Sequence, residues 1–259
     1  MKRLVIVEHR AHELANQLWS DLAIHAFGFE IGARVINLTW LEHGVFRWAY
    51  LPFARLIDAL TRSSAYWALG VPKLLPPTKT LPEKFKDAHT LWFFGWMFKN
   101  PEGFTRHREK LLAAVGLRSR RALAGKRLVG VHLKLQPFRG FEDGEFLIPV
   151  ERVSEIVREY LKERDLRAED VALIIVSDRT PPYDVLRDLE SLVYLGNTRE
   201  NLELLAGCEV IIGTNSTYSN LAAWIGDVPH IVTTSAPVDW PYYKDKHLYF
   251  ENKYATFAL

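Results

Sequence analysis

The chain has 259 residues, 48% hydrophobic and 25% charged, with a formal net charge of +2. That length can bury one large core or two of medium size, the composition excludes disorder, and the near-zero charge gives no argument for a nucleic-acid partner. A single cysteine, Cys208, excludes an internal disulfide framework, no apolar run is long enough to span a membrane, and MKRLVIVEHR is too short in apolar residues for a signal peptide. A soluble protein of the reducing cytoplasm is the expectation.

Periodicity makes the start a βαβ unit. Leu4 to Val7 is a short apolar strand; Leu14, Leu18, Leu22, Ala26 and Phe29 recur at helical spacing; Gly32 ends the helix, and Val35 to Leu38 is a second strand. An aromatic helical stretch spans Val45 to Leu60. GVPKLLPPTKTLPEKF follows, where Pro72, Pro76, Pro77 and Pro82 forbid a continuous helix and predict a long exposed loop. TLWFFGW is a strand, and EGFTRHREKLLAAVGL is the helix that closes the first half.

Arg118 to Arg127, RSRRALAGKR, carries five cations and no acid. It reads as a solvated linker, with phosphate or an anionic membrane surface as the alternative contact. Beyond it the alternation restarts. Leu128 to Leu133 is a strand, Val150, Val153, Ile156, Val157, Tyr160 and Leu161 share one helical face, and Val171 to Val176 is a strand. Leu192 to Leu195, Val210 to Ile212 and His230 to Thr233 complete the strands, with helices at Glu200 to Ala206 and after Gly213. The fold class is α/β, two Rossmann-like doubly wound lobes with parallel sheets, residues 1–120 and 121–259.

Ligands of such sheets lie beyond the carboxyl ends of the strands. Three ends in the second half are polar: VGVHLKLQPFRG brings His132, Lys134 and Arg139, LIIVSDRTPP brings Ser177, Asp178 and Arg179, and GTNSTYSNLAAWIG opens a helix with Asn215, Ser216 and Thr217. Cations, an acid and a helix mouth rich in unpaired N–H groups suit a nucleotide diphosphate. Each has an ordinary explanation when taken singly: a satisfied strand-end histidine, a turn-forming aspartate, a solvated lysine, a plain N-cap. Cys208, among apolar neighbours, reads as a core residue. Trp40, Trp48, Trp67, Trp92 and Trp96 suit either core packing or a platform for sugar rings. No GxxxxGK[ST], GxGxxG or HExxH motif points to a P-loop, a dinucleotide or zinc.

The order of VGVHLK, LIIVSDR and LLAGCEVIIGTNSTYSNLAAWIG resembles the bacterial alpha-1,2-fucosyltransferases and the wider fucosyltransferase superfamily. Asn215, Ser216, Tyr218, Ser219, Ala222, Ala223, Trp224 and Gly226 line up with that family's NSSFSWWAAWLG, and Asn16, Gln17 and Leu18 with its first-lobe GNQL element. The resemblance implies a GT-B-like fold and an inverting, metal-independent glycosyltransferase. It would use a nucleotide-sugar donor such as GDP-fucose and a glycan or glycoconjugate acceptor.

On that resemblance, Ser216, Thr217, Tyr218 and Ser219 surround the distal phosphate, Asp178 and Ser177 lie near the nucleoside, His132 lines the cleft, and Asn16 faces it from the first lobe. The family's two arginines correspond to Lys134 and Leu135, with Arg139 as a substitute cation, and its glycines beside Asn16 become Glu13 and Ala15. RGFEDGEF offers Glu142, Asp143 and Glu145, of which Glu142 is the expected general base, against a plain acidic surface loop. Those departures leave two alternatives open: a catalytically weakened binder of a nucleotide sugar or glycan, and a transferase with another donor.

Overall fold

The computed structural model describes residues 4–8, 14–37, 73–74, 83–94, 100–135, 148–182, 186, 188–244 and 252–254. The chain divides into two compact units, Met1–Val115 and Gly116–Leu259.

In the first unit, strands β1 (Leu4–Glu8), β2 (Arg34–Asn37), β3 (Lys73–Leu74) and β4 (Thr90–Phe94) form a parallel sheet in the order β2-β1-β4-β3. Helix α1 (Leu14–Glu30) is buried almost all round, from Ala15 to Gly28. Its neighbour α2 (Pro101–Val115) packs Phe104 against Trp19, ring centres 5.1 Å apart, and Arg106 reaches Glu30 at 3.1 Å. Two glycines permit these approaches. A Cβ on Gly28 would come within 2.5 Å of Val35 Cγ2, and one on Gly103 within 2.9 Å of Ala26 Cβ.

The stretch expected to be one long loop, residues 70–85, differs in two places. Lys73–Leu74 pairs with β4 as an edge strand, and Glu83–Phe85 forms a 3₁₀ turn. Proline is tolerated beside edge strands, so Pro72 and Pro76 bracket a strand that is too short to show alternation. The aromatic stretch Val45 to Leu60 lies outside the described residues, as do Trp40, Trp48, Trp67 and Trp96. Trp92 is buried, 3% exposed, which favours core packing over a sugar platform there.

In the second unit, β5 (Arg127–Leu133), β6 (Val171–Ser177), β7 (Ser191–Leu195), β8 (Val210–Gly213) and β9 (His230–Val232) form a parallel sheet in the order β7-β6-β5-β8-β9. Helix α3 (Val150–Glu163) covers one face: Val153, Ile156, Val157 and Tyr160 pack with Val129, Val131, Leu173 and Ile212. The other face buries Leu128, Ala172, Ile174 and Cys208. Leu204 of α4 (Arg199–Ala206) packs there, and α5 (Thr217–Gly226) lies against α4. A Cβ on Gly226 would sit 2.3 Å from the Ala206 carbonyl oxygen, so only glycine lets these two helices approach so closely.

The basic stretch is stitched into this unit. Arg120 N–H donates to the Glu203 carbonyl, Arg121 donates to the Leu123 and Lys126 carbonyls, Lys126 pairs with Glu190, and Arg127 with Glu209 at 2.7 Å. The Arg121, Lys126 and Arg127 side chains are thus occupied, whereas the Arg120 bond is made by its main chain. Among the described residues, no helix is long and apolar enough to cross a membrane.

Candidate functional site

The sheet order of the second unit reverses between β5 and β8, where chain connections run to opposite sides and leave a crevice beyond the carboxyl ends. His132 pairs with Gly213 across that reversal. Helix α5 begins directly over it, capped by Ser216, whose hydroxyl accepts the Ser219 N–H at 3.1 Å. A helix N-terminus presents unpaired amides and the positive end of a dipole, which favour an anion by about 0.3–1 kcal/mol and by about 2 when partly buried.

His132 is the hub. It is 1% exposed, with Nδ1 2.7 Å from Ser219 Oγ and 3.3 Å from Ser216 Oγ, and Nε2 3.4 Å from Asn197 Oδ1. Because the Asn197 oxygen can only accept, Nε2 carries the proton and Nδ1 accepts from Ser219. Ser216 Oγ, 3.0 Å from Ser219 Oγ, then donates onward to Ser219, and the chain closes on the Ser219 N–H. Burial is the main cause that lowers the His132 pKa from 6.5 to about 4; the Asn197 bond opposes it, and the Lys134 charge adds to it. A neutral, doubly engaged imidazole holds the α5 tip in place. In this arrangement both ring nitrogens of His132, expected from the sequence to line the cleft, are engaged with Ser219, Ser216 and Asn197 rather than facing an acceptor hydroxyl.

The α5 candidates separate by depth. Asn215, Ser216 and Thr217 are partly exposed, whereas Tyr218 is 4% and Ser219 0% exposed. The Tyr218 hydroxyl donates to the Thr198 carbonyl at 2.6 Å, and its ring stacks obliquely on His132 at 5.0 Å. Tyr218 and Ser219 therefore brace the mouth from within, while their three predecessors and the helix amides form its accessible lip.

The β6 end is also internal in part. Ser177 is fully buried, and its hydroxyl accepts from the Arg179 N–H at 3.4 Å. Asp178 Oδ1 accepts the Leu135 N–H at 2.7 Å and so fixes the chain leaving β5, beside the half-exposed Lys134. Asn16 stands in the first turn of α1, and its Oδ1 is buried without a hydrogen-bond partner among the described residues. Arg139, Glu142, Asp143 and Glu145 lie outside the described residues.

Sequence reasoning missed Asn197. It follows β7 in Leu195-Gly196-Asn197-Thr198, where Gly196 has φ +86° and Thr198 caps α4. The positive-φ glycine followed by a cap was the available signal for a tight turn at a carboxyl edge.

No protein-family model and no curated protein matches the sequence. Solved structures do. A point mutant of Arabidopsis thaliana FUT1, in complex with GDP, matches with a TM-score of 0.52 at 10% identity, covering 91% of this chain and 72% of that one. The chain has the GT-B fold of the fucosyltransferases. Lower scores link it to the fucosyltransferase NodZ from Bradyrhizobium, 13% identical over 92% of this chain and 97% of that one, TM-score 0.47. The E. coli heptosyltransferase WaaC with ADP is 13% identical over 89% of this chain and 86% of that one, TM-score 0.42. In a GT-B fold, the reversal beneath α5 belongs to a Rossmann-like unit, the kind of sheet that receives nucleotides at its carboxyl edge.

Proposed function

We propose that the chain is a glycosyltransferase that moves a sugar from a nucleotide diphosphate, GDP-fucose being the first candidate, onto a hydroxyl of a glycan or glycoconjugate. The observation that carries this is the Ser216-capped N-terminus of α5 placed over the strand reversal between β5 and β8. The fold shared with a fucosyltransferase solved in complex with GDP supports the choice of guanine nucleotide. The second unit, in this reading, holds the donor and the first the acceptor.

The acceptor oxygen attacks the anomeric carbon as the bond from that carbon to the diphosphate oxygen breaks, with inversion. The bonding pair leaves on the diphosphate, and the acceptor proton passes to a carboxylate, for which Glu142 is the candidate. Lys134, Arg139 and the α5 amides offset the departing charge, with no essential metal. Asn215, Thr217 and the α5 amides bond the phosphate oxygens, Ser216 holds that mouth in place through its cap, and Asp178 with Ser177 shapes the nucleoside side.

Replacement of the family arginines by Lys134 and Leu135 favours a second reading, a catalytically weakened binder of the same donor. Calorimetry with GDP, GDP-fucose and UDP, then product analysis with and without EDTA, separates these. Transfer that survives EDTA supports the enzyme, GDP binding without hydrolysis or transfer supports the binder, and preferred UDP binding reassigns the donor. Absence of binding by any of the three removes the proposal.

A further inference from the structure

At the opposite edge of the second sheet lies a cavity of about 270 Å³, lined by residues that include Arg127, Tyr160, Arg164, Glu209, Ile231 and Lys244. Arg127 begins β5 and Glu209 immediately precedes β8, so this is the amino edge. The length of β5, about 20 Å at roughly 3.3 Å per residue, separates it from His132 and the α5 mouth. The volume falls just below the roughly 300–1,000 Å³ of ordinary ligand pockets, which suits a molecule smaller than a nucleotide sugar.

Three polar groups here are not used up by the fold. Tyr160 is 6% exposed as a residue, and its hydroxyl, which is not among the sealed polar atoms, belongs to the cavity lining. Arg164 gives one Nη2 bond to the Tyr243 carbonyl at 2.6 Å and holds its guanidinium 6.0 Å from the Tyr160 ring. It has no acidic partner among the described residues. Lys244 is exposed and likewise has none among them. The one acid in the lining, Glu209, is neutralised by Arg127.

We infer that this cavity is a binding site for a small phosphate monoester with an apolar or aromatic body, separate from the donor site. The Tyr160 phenol lines the cavity and can donate one hydrogen bond to a ligand oxygen. Here it stands beside two uncompensated cations, and together they offer donors to several oxygens of a dianion. Val210, Ile231 and the tyrosine rings meet the apolar body. Burial raises the Tyr160 pKa, which keeps the phenol a donor at neutral pH.

Phenyl phosphate is the probe, titrated calorimetrically into the full chain at fixed ionic strength, with benzoate and phenol as comparisons. The expected result is saturable phenyl phosphate binding, tighter than either comparison and unchanged by saturating GDP. Lys244→Gln, a surface change, should weaken it at least tenfold, and Tyr160→Phe, which removes only the cavity-lining hydroxyl, several-fold. Arg164→Gln should weaken it too, with circular dichroism confirming that the loss of its bond to Tyr243 leaves the fold intact. Non-saturable binding, displacement by GDP, or affinities untouched in both Lys244→Gln and Tyr160→Phe would overturn the site. Benzoate binding as tight as phenyl phosphate would overturn the phosphate assignment. The outcome is independent of whether GDP binds at all.

Discussion

Ser219 Oγ lies 2.7 Å from His132 Nδ1, and both groups are inaccessible to water, so the end of β5 is bolted to the first turn of α5 by one internal hydrogen bond. Ser219→Ala leaves a buried ring nitrogen with only the longer contact to Ser216, 3.3 Å. The expected loss is about 1–3 kcal/mol of stability, read as a lower urea midpoint at unchanged slope. An unchanged midpoint would mean that the bond contributes nothing net.

Two buried histidines make stability depend on pH. Burial is the main cause that lowers His132 from 6.5 to about 4 and His230 from 6.5 to about 3. His230 is 2% exposed; its Nε2 donates to the Gly213 carbonyl at 3.3 Å, and its Nδ1 lies 2.5 Å from the Asn220 side-chain amide, whose NH2 end faces the ring when the imidazole is neutral. Both stay neutral in the folded chain while the unfolded chain takes up protons below about pH 6.5. The unfolded state binds more protons there, so stability is full above 6.5 and falls with acidification until each folded pKa is passed. For His132 the total is about 3 kcal/mol at roughly 1.4 per pH unit. Urea unfolding of wild type between pH 7 and 4.5 should show this slope, and His132→Gln should remove one proton's share; parallel curves for the two proteins would refute it.

Much of the second unit was legible because β5, β6, β8 and β9 are buried parallel strands, which read as apolar runs, and because α3 shows one clear stripe. Cys208 followed from the same apolar context: it is 3% exposed, and burial pushes its thiol up to about 12. The polar strand ends were also visible. What the sequence could not tell was depth around the α5 turn, where the cap residue Ser216 is partly exposed and Ser219, three residues on, is sealed. Both are hydroxyls in a motif, and only the packing of His132 and Gly213 decides which is sealed. Asn197 was invisible for a different reason, since it meets His132 from a strand two places away in the sheet and 65 residues on in the chain.

Gly213 makes this approach possible. A Cβ there would meet His132 Cβ at 3.0 Å, Ser219 Oγ at 3.0 Å and the His132 carbonyl at 3.1 Å. Gly213→Ala must push the α5 tip away from β5, and overpacking of this kind costs about 1–3 kcal/mol. If the α5 mouth holds the donor phosphates, GDP affinity should fall along with stability. Retained GDP affinity in a destabilised Gly213→Ala would separate the mouth from the ligand.

Lys134 follows β5 at the carboxyl edge, half-exposed, and its charge is felt by His132. On the resemblance to fucosyltransferases it stands in place of an arginine, and it keeps a point charge but lacks the planar two-pronged grip. Lys134→Ala should weaken donor binding or turnover at least tenfold, about 1.4 kcal/mol. Lys134→Arg is expected to match or exceed wild type, and unchanged kinetics in Lys134→Ala would remove the residue from the mechanism.

The general base is the remaining chemical question, and elimination sharpens it. His132 has both nitrogens engaged, and Asp178 commits Oδ1 to the Leu135 amide on the side proposed for the nucleoside, which makes each a poorer candidate to take a proton from a sugar hydroxyl. A carboxylate from the following loop is then the simplest source, and Glu142 is the candidate. Glu142→Gln keeps shape and removes basicity, so it should cost about 10²–10⁴ in turnover while GDP affinity persists. The acidic limb of the pH–rate profile should vanish in that variant, a change that a merely structural glutamate would not produce. Full activity in Glu142→Gln would move the search to Asp143 and Glu145 in the same loop.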